Sequence, residues 1–165
     1  MDIHILPLNE STLHATTVLR DTIFTGLNRV ESETLRTSLS PENYHIRKKL
    51  GISELAYWTA IDPLTRNVVG LVGLYTENDD EDDTVWLGWY CVDSRYRGHK
   101  IGSKLLELAI NEAKAQNKKY LNLYTTTDDD YATAREQYLK VGFEHYKSVK
   151  NNLYYQLPLM SERCD

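Results

Sequence analysis

The stretch Trp86-Leu-Gly-Trp-Tyr-Cys-Val-Asp-Ser-Arg-Tyr-Arg-Gly-His-Lys-Ile-Gly-Ser-Lys104 has the order of a strand, a basic loop and a helix start. Thr84 to Val92 is a near-continuous apolar and aromatic run, the pattern of a buried strand, and Asp93 and Ser94 end it. Arg95, Arg97, His99, Lys100 and Lys104 follow, interleaved with Gly98 and Gly102. Behind them Ile101, Leu105, Leu106, Ala109, Ile110 and Ala113 recur at helical spacing. A helix start offers unpaired backbone N–H groups and the positive end of the helix dipole. Glycines let that backbone approach a ligand closely. The combination suits a phosphate or pyrophosphate.

Working outward, Ile3 to Leu8 predicts a first strand. Asn9 predicts the cap of a helix from Glu10 to Thr25, with Leu13, Val18, Leu19 and Ile23 on its apolar side and Gly26 ending it. Glu31 to Leu39 is a second helical pattern. Ser40 and Pro41 predict the cap and first position of a third, running to Leu50. Glu54 to Ile61 and Val68 to Tyr75 are strand patterns joined by a turn over Asp62 to Asn67. An acidic run, Asn78 to Asp83, leads into the Trp86 strand. After the helix that follows Gly102 come a strand from Tyr120 to Thr125, a helix from Tyr131 to Val141 and a stop at Gly142. Phe143 to Lys150 and Leu153 to Leu157 are the last strands, with Asn151 and Asn152 as their turn and Pro158 closing the second.

The 165 residues suit one domain with room for a substantial core, and no repeat or linker divides them. A net charge of −5 argues against nucleic acid as a partner. No run approaches the length of a membrane span and no signal peptide is visible, so no membrane partner is expected. The two cysteines, Cys91 and Cys164, lie far apart and indicate no disulfide framework, which fits a reducing, cytoplasmic setting. No metal is expected.

Two phosphate-binding patterns fail on the loop. A dinucleotide fingerprint needs three glycines, and a Walker-type loop needs Lys before Ser/Thr, whereas here Ser103 precedes Lys104. Arg97-Gly-His-Lys-Ile-Gly102 instead resembles the R/Q-x-x-G-x-G/A loop of the GNAT superfamily of N-acetyltransferases, with Lys100 where Gly is usual. Tyr131-Ala-Thr-Ala-Arg-Glu-Gln-Tyr-Leu-Lys-Val-Gly-Phe143 resembles that family's N-x-x-A-x-x-x-Y-x-K-x-G-F segment, with Tyr131 in place of Asn. The order of elements is also the family's. The resemblance implies a single α/β domain over residues 1–165: a mostly antiparallel mixed sheet of about seven strands, flanked by helices and splayed between its fourth and fifth strands.

The resemblance further implies transfer of an acetyl group from acetyl-coenzyme A to a primary amine, on a small molecule or a peptide, by direct attack. Arg97, Gly98, His99, Lys100, Ile101, Gly102 and Ser103 would surround the pyrophosphate, and Tyr131 and Ala134 would line the cofactor. Cys91 and Val92 would pair with the pantetheine arm through the main chain. Tyr138 would be the general acid for the leaving thiolate, because a phenol of pKa about 10 stays protonated at neutral pH. The competing readings are a solvated basic loop, a core tyrosine at Tyr138, and a nucleophilic role for Cys91, the last disfavoured because a buried strand thiol is usually inert.

No carboxylate stands on the Trp86 to Val92 strand, where many family members carry a basic Glu. Either the acceptor is an α-amine, already partly neutral near pH 7, or a carboxylate acts through water; Glu81, Asp82, Asp83 and Asp128 are the candidates. The acidic run could also draw a cationic or polyamine acceptor, or be a solvated turn. A non-catalytic coenzyme A-binding module of the same fold is the alternative to an enzyme. Members of the family are often dimers, which allows a homodimer here.

Overall fold

The computed structural model describes residues 1–79 and 83–159. In chain order the elements are β1 (His4–Pro7), α1 (Glu10–Ile23), α2 (Arg29–Thr37), α3 (Tyr44–Lys49), β2 (Ile52–Ile61), β3 (Val68–Glu77), β4 (Thr84–Leu87), β5 (Cys91–Val92), α4 (Ile101–Ala115), β6 (Tyr120–Thr126), α5 (Ala132–Val141), β7 (Glu144–Val149) and β8 (Asn152–Pro158). Among the described residues they build one mixed sheet in the order β1-β2-β3-β4-β6-β8-β7, with β5 on β3. Only β4 and β6 run parallel; every other pair is antiparallel.

Helices cover both faces. On one face Leu19 of α1 and Leu35 of α2 bury against Tyr57 and Leu71. On the other, the α4 stripe Ile101, Leu105, Leu106, Ala109 and Ala113 packs on Val72, Leu74, Val85 and Leu121. Full burial of a large aliphatic side chain is worth about 1.5–3 kcal/mol, so this stripe anchors the start of α4 firmly on the sheet. Asn9 caps α1 as predicted, in a reciprocal capping box with Thr12.

The largest departure from the sequence reading lies in the predicted strand Thr84 to Val92. It breaks after Leu87 and resumes at Cys91, which makes eight strands of the expected seven. The Gly88 N–H reaches the Gly73 carbonyl at 2.7 Å, and the next two side chains leave the ladder. The Trp89 indole Nε1 donates to Thr34 Oγ1 at 2.8 Å, and the Tyr90 hydroxyl donates to the Gly102 carbonyl at 2.8 Å. The parallel ladder between β4 and β6 stops at Trp86 and Asn122, so β6 and the β5 segment stand apart. The predicted splay is therefore present.

Four smaller expectations change. The Ser40–Pro41 signal opens a short 3-10 turn, Pro41–Asn43, before α3 begins at Tyr44. The last hairpin turns on Lys150 and Asn151, with Lys150 left-handed (φ 57°), and Asn152 already pairs with Val149. α2 starts at Arg29, two residues before Glu31, because Asn28 caps it. On α1, Leu13, Leu19 and Ile23 pack inward as predicted, but Val18 is exposed and Thr16 and Arg20 are buried.

Arg20 is fully buried and fastens α2 to α1. Its guanidinium donates to the carbonyls of Glu31 at 3.3 Å and Ser32 at 3.0 Å, lies over the Trp89 ring at 5.4 Å and meets the half-exposed Asp21. Arg20→Met keeps the stem but removes both guanidinium hydrogen bonds, leaving the Glu31 carbonyl to the Thr34 hydroxyl. Each such loss costs about 1–3 kcal/mol, so the variant is expected to lose about 2–4 kcal/mol in urea unfolding. A loss below about 1 kcal/mol would show that these contacts contribute little.

Candidate active site

Two cavities meet where the fourth strand breaks. The first, of about 1180 Å³, lies between α1, the β5 segment and the starts of α4 and α5. Its basic end is the loop before α4. Lys100 caps that helix in the left-handed conformation (φ 61°), and Gly98 is left-handed as well (φ 85°). The first intrahelical bond runs from the Lys104 N–H to the Lys100 carbonyl, so the amides of Ile101, Gly102 and Ser103 open the helix unpaired within it. No acidic residue stands in that first turn to offset the dipole.

Of the predicted contact residues, Arg97, Gly98, Lys100, Ile101, Gly102 and Ser103 all line the first cavity. So do Cys91, Val92, Tyr131 and Ala134. His99 does not line it, although it sits in the same loop. The Ser103 hydroxyl accepts a hydrogen bond from Gln137 of α5 at 2.7 Å, which leaves its backbone N–H as the free donor to the cavity. Cys91 and Val92 pair with Leu71 and Gly70 on one side only, so their other main-chain edge faces the splay. The Cys91 thiol is buried and pushed up to about 12, chiefly by loss of hydration.

Arg95 is turned to another task. Its side chain and N–H both bond Asp93, which holds that carboxyl below its ordinary range and closes the turn after β5. Sequence reasoning missed Arg66 and Asn67, which reach the first cavity from the β2–β3 turn, and Phe24 at the end of α1. A left-handed Arg66 (φ 64°) in a turn was the only local signal.

The second cavity, of about 760 Å³, opens on the other side of the break between α2, the ends of β2 and β3, and β6. Tyr138 of α5 lines it and not the first. Its ring is 6% exposed, wedged between Tyr90 (5.9 Å), Phe143 (5.7 Å) and Tyr155 (6.3 Å). Burial raises its hydroxyl well above the ordinary tyrosine value, and among the described residues that hydroxyl has no hydrogen-bond partner. Tyr90, Tyr131, Ala134 and Phe24 line both cavities and form their common wall. Phe24 stacks on Tyr131 at 6.1 Å, so α1 and α5 close over this wall.

The carboxylates proposed from sequence do not collect here. Asp83 accepts the Thr84 hydroxyl at the far end of β4, and neither it nor Asp128 lines either cavity. Glu81 and Asp82 fall outside the described residues, as does Cys164. The acids of the second cavity are Glu31, Glu77 and Asp79. Among the described residues no group of three or more His, Cys, Asp or Glu could hold a metal, and no helix is long and apolar enough to cross a membrane.

The sequence model of the acetyltransferase (GNAT) family matches residues 23–143. The chain belongs to the GNAT acetyltransferase family. The match covers most of the chain, from the end of α1 to the second residue after α5, and so includes both walls of the splay. Solved structures with the same fold include a GNAT acetyltransferase from Staphylococcus aureus Mu50, at 23% identity and a TM-score of 0.73 over 96% of this chain and 100% of that one. The PaiA N-acetyltransferase of Thermoplasma acidophilum, solved with coenzyme A, is 18% identical with a TM-score of 0.69 over 96% and 99%. The ribosomal-protein-S18-alanine N-acetyltransferase of Escherichia coli is 15% identical with a TM-score of 0.71 over 99% and 98%. No curated protein sequence matches the chain. For this GNAT chain the two cavities therefore lie on a fold shared with acetyltransferases.

Proposed function

We propose that the protein transfers an acetyl group from acetyl-coenzyme A to a primary amine. The observation that carries this reading is the common wall: among the described residues, a basic cavity with a free helix start lies on one side, a buried phenol with no hydrogen bond on the other, and Tyr90, Tyr131, Ala134 and Phe24 between them. The amides of Ile101, Gly102 and Ser103, with Arg97 and Lys100, hold the pyrophosphate. The free edge of Cys91 and Val92 takes the pantetheine amides as an added strand. That directs the thioester to the break at Tyr90.

In the transfer, the neutral amine nitrogen attacks the thioester carbonyl carbon. The new N–C bond forms as the C–S bond breaks, the departing sulfur takes the Tyr138 proton, and the amide nitrogen gives its proton to water. Tyr138 is then reprotonated from solvent. The PaiA neighbour, solved with coenzyme A, supports the assignment of the donor. The test is release of free thiol on mixing the protein, acetyl-coenzyme A and a panel of amines, with mass spectrometry of the acetylated acceptor. Tight coenzyme A binding without turnover on any amine would favour a binding module instead.

Lys100 gives a second test with two readouts. A non-glycine residue in the left-handed region costs about 1 kcal/mol or more, so Lys100→Gly is expected to raise the melting temperature of the free protein. The same change removes a cation from the anion site, so coenzyme A should bind more weakly, and the deficit should widen as salt is lowered. Tighter binding by the glycine variant would show that backbone strain outweighs the charge.

A further inference from the structure

Resting on the N-acetyltransfer reading, we infer that the acceptor carries at least two amines. One amine reaches Tyr138 while a second, protonated one is held by Glu31 and Glu77 beside Tyr124. Among the described residues the second cavity is lined by three carboxylates, Glu31, Glu77 and Asp79, and by no Lys, Arg or His. The first cavity, in contrast, mixes Arg66, Arg97 and Lys100 with its acids. The remaining surface of the second cavity is largely aromatic, with Tyr57, Tyr75, Trp89 and Tyr124 among its walls. An alkyl chain bearing ammonium groups suits such a lining, because methylenes pack on the rings and the cation is attracted both to ring faces and to carboxylates.

The acids sit at one end of this space. Glu77 closes β3 well beyond Gly73, whose carbonyl meets the break at Gly88, whereas Tyr138 packs on Tyr90 at the break itself. The charges of Glu31 and Glu77 both act on Tyr124, and neither is among the groups that act on Tyr138. This separation decides their role. A carboxylate beside the reacting nitrogen would hold it as an ammonium and block attack. Placed at the Tyr124 end, the same charge fixes a distal ammonium and leaves the reacting amine free to lose its proton. Tyr138, buried and with no hydrogen bond among the described residues, marks the other end.

The experiment compares butylamine, putrescine, spermidine and a neutral peptide with one α-amine as acceptors for the intact protein. A charge-assisted hydrogen bond to a second ammonium predicts kcat/KM for putrescine or spermidine about 10- to 100-fold above butylamine. Glu31→Gln combined with Glu77→Gln should bring the putrescine-to-butylamine ratio close to one. Equal rates for butylamine and putrescine, or a peptide that outruns both polyamines, would overturn the inference while leaving acetyl transfer standing. A double variant that keeps the full preference would overturn the roles of Glu31 and Glu77. No turnover with any amine, in protein that still binds coenzyme A, would overturn the transferase reading and this inference with it.

Discussion

Replacing Tyr138 by Phe is expected to lower the turnover number by about 10²- to 10⁴-fold, the usual worth of a general acid. The cage of Tyr90, Phe143 and Tyr155 holds the ring by its faces and edges, so Phe fills the same space. Because the hydroxyl has no hydrogen bond to lose among the described residues, stability should hardly change. Coenzyme A affinity should also change little, since the proton acts on charge that develops late in the reaction. The loss should shrink when the leaving thiol is made more acidic. Burial raises the Tyr138 pKa above the ordinary value of about 10, so the acid stays protonated as pH rises to that value. Any alkaline fall in turnover below about pH 10 must then come from another group. A Phe variant with normal turnover on a good acceptor would remove Tyr138 from the chemistry. Equal loss of affinity and turnover would make it a positioning residue.

Gly102→Glu should abolish coenzyme A binding, with affinity down by at least about 100-fold, because like charge in a desolvated anion site costs several kcal/mol. The structure adds a second effect. A Cβ at Gly102 would lie 2.9 Å from the Tyr90 hydroxyl, which itself donates to the Gly102 carbonyl. Any side chain there crowds the Tyr90 hydroxyl and displaces it from the Gly102 carbonyl. Gly102→Ala separates the two effects: it displaces Tyr90 without adding charge, so its turnover should fall more than its affinity. Calorimetry showing unchanged affinity in a folded Gly102→Glu protein would rule out the loop as the anion site.

Much of this was legible from local signals. The α4 stripe, the Asn9 cap and the stop at Gly142 each follow from spacing or from one residue's backbone chemistry, and all are present. The break in the fourth strand was not read, because Trp89 and Tyr90 are strong strand formers and their partners, Thr34 and Gly102, lie far away in sequence. Gly88 inside the apolar run was the available hint, since glycine within a strand often marks a bulge or a close approach of backbone. Arg20 went unremarked for a similar reason. Helical periodicity cannot foresee that a guanidinium will be buried by carbonyls contributed by the next helix. The acids of the second cavity come from α2, the end of β3 and the residues just after it, segments that no motif ties together, so only the fold brings Glu31, Glu77 and Tyr124 to one cavity.

The buried thiol at the strand break also sets the kinetic form of the reaction. Burial pushes the Cys91 thiol up to about 12, which keeps it protonated at neutral pH and makes it a poor acceptor for the acetyl group. Direct transfer, with both substrates bound together before either product leaves, is therefore the expected kinetic form. Initial-rate plots at several fixed amine concentrations should intersect rather than run parallel. Labelled coenzyme A should not exchange into acetyl-coenzyme A when the amine is left out, and alkylating reagents should leave the rate untouched as long as the fold persists.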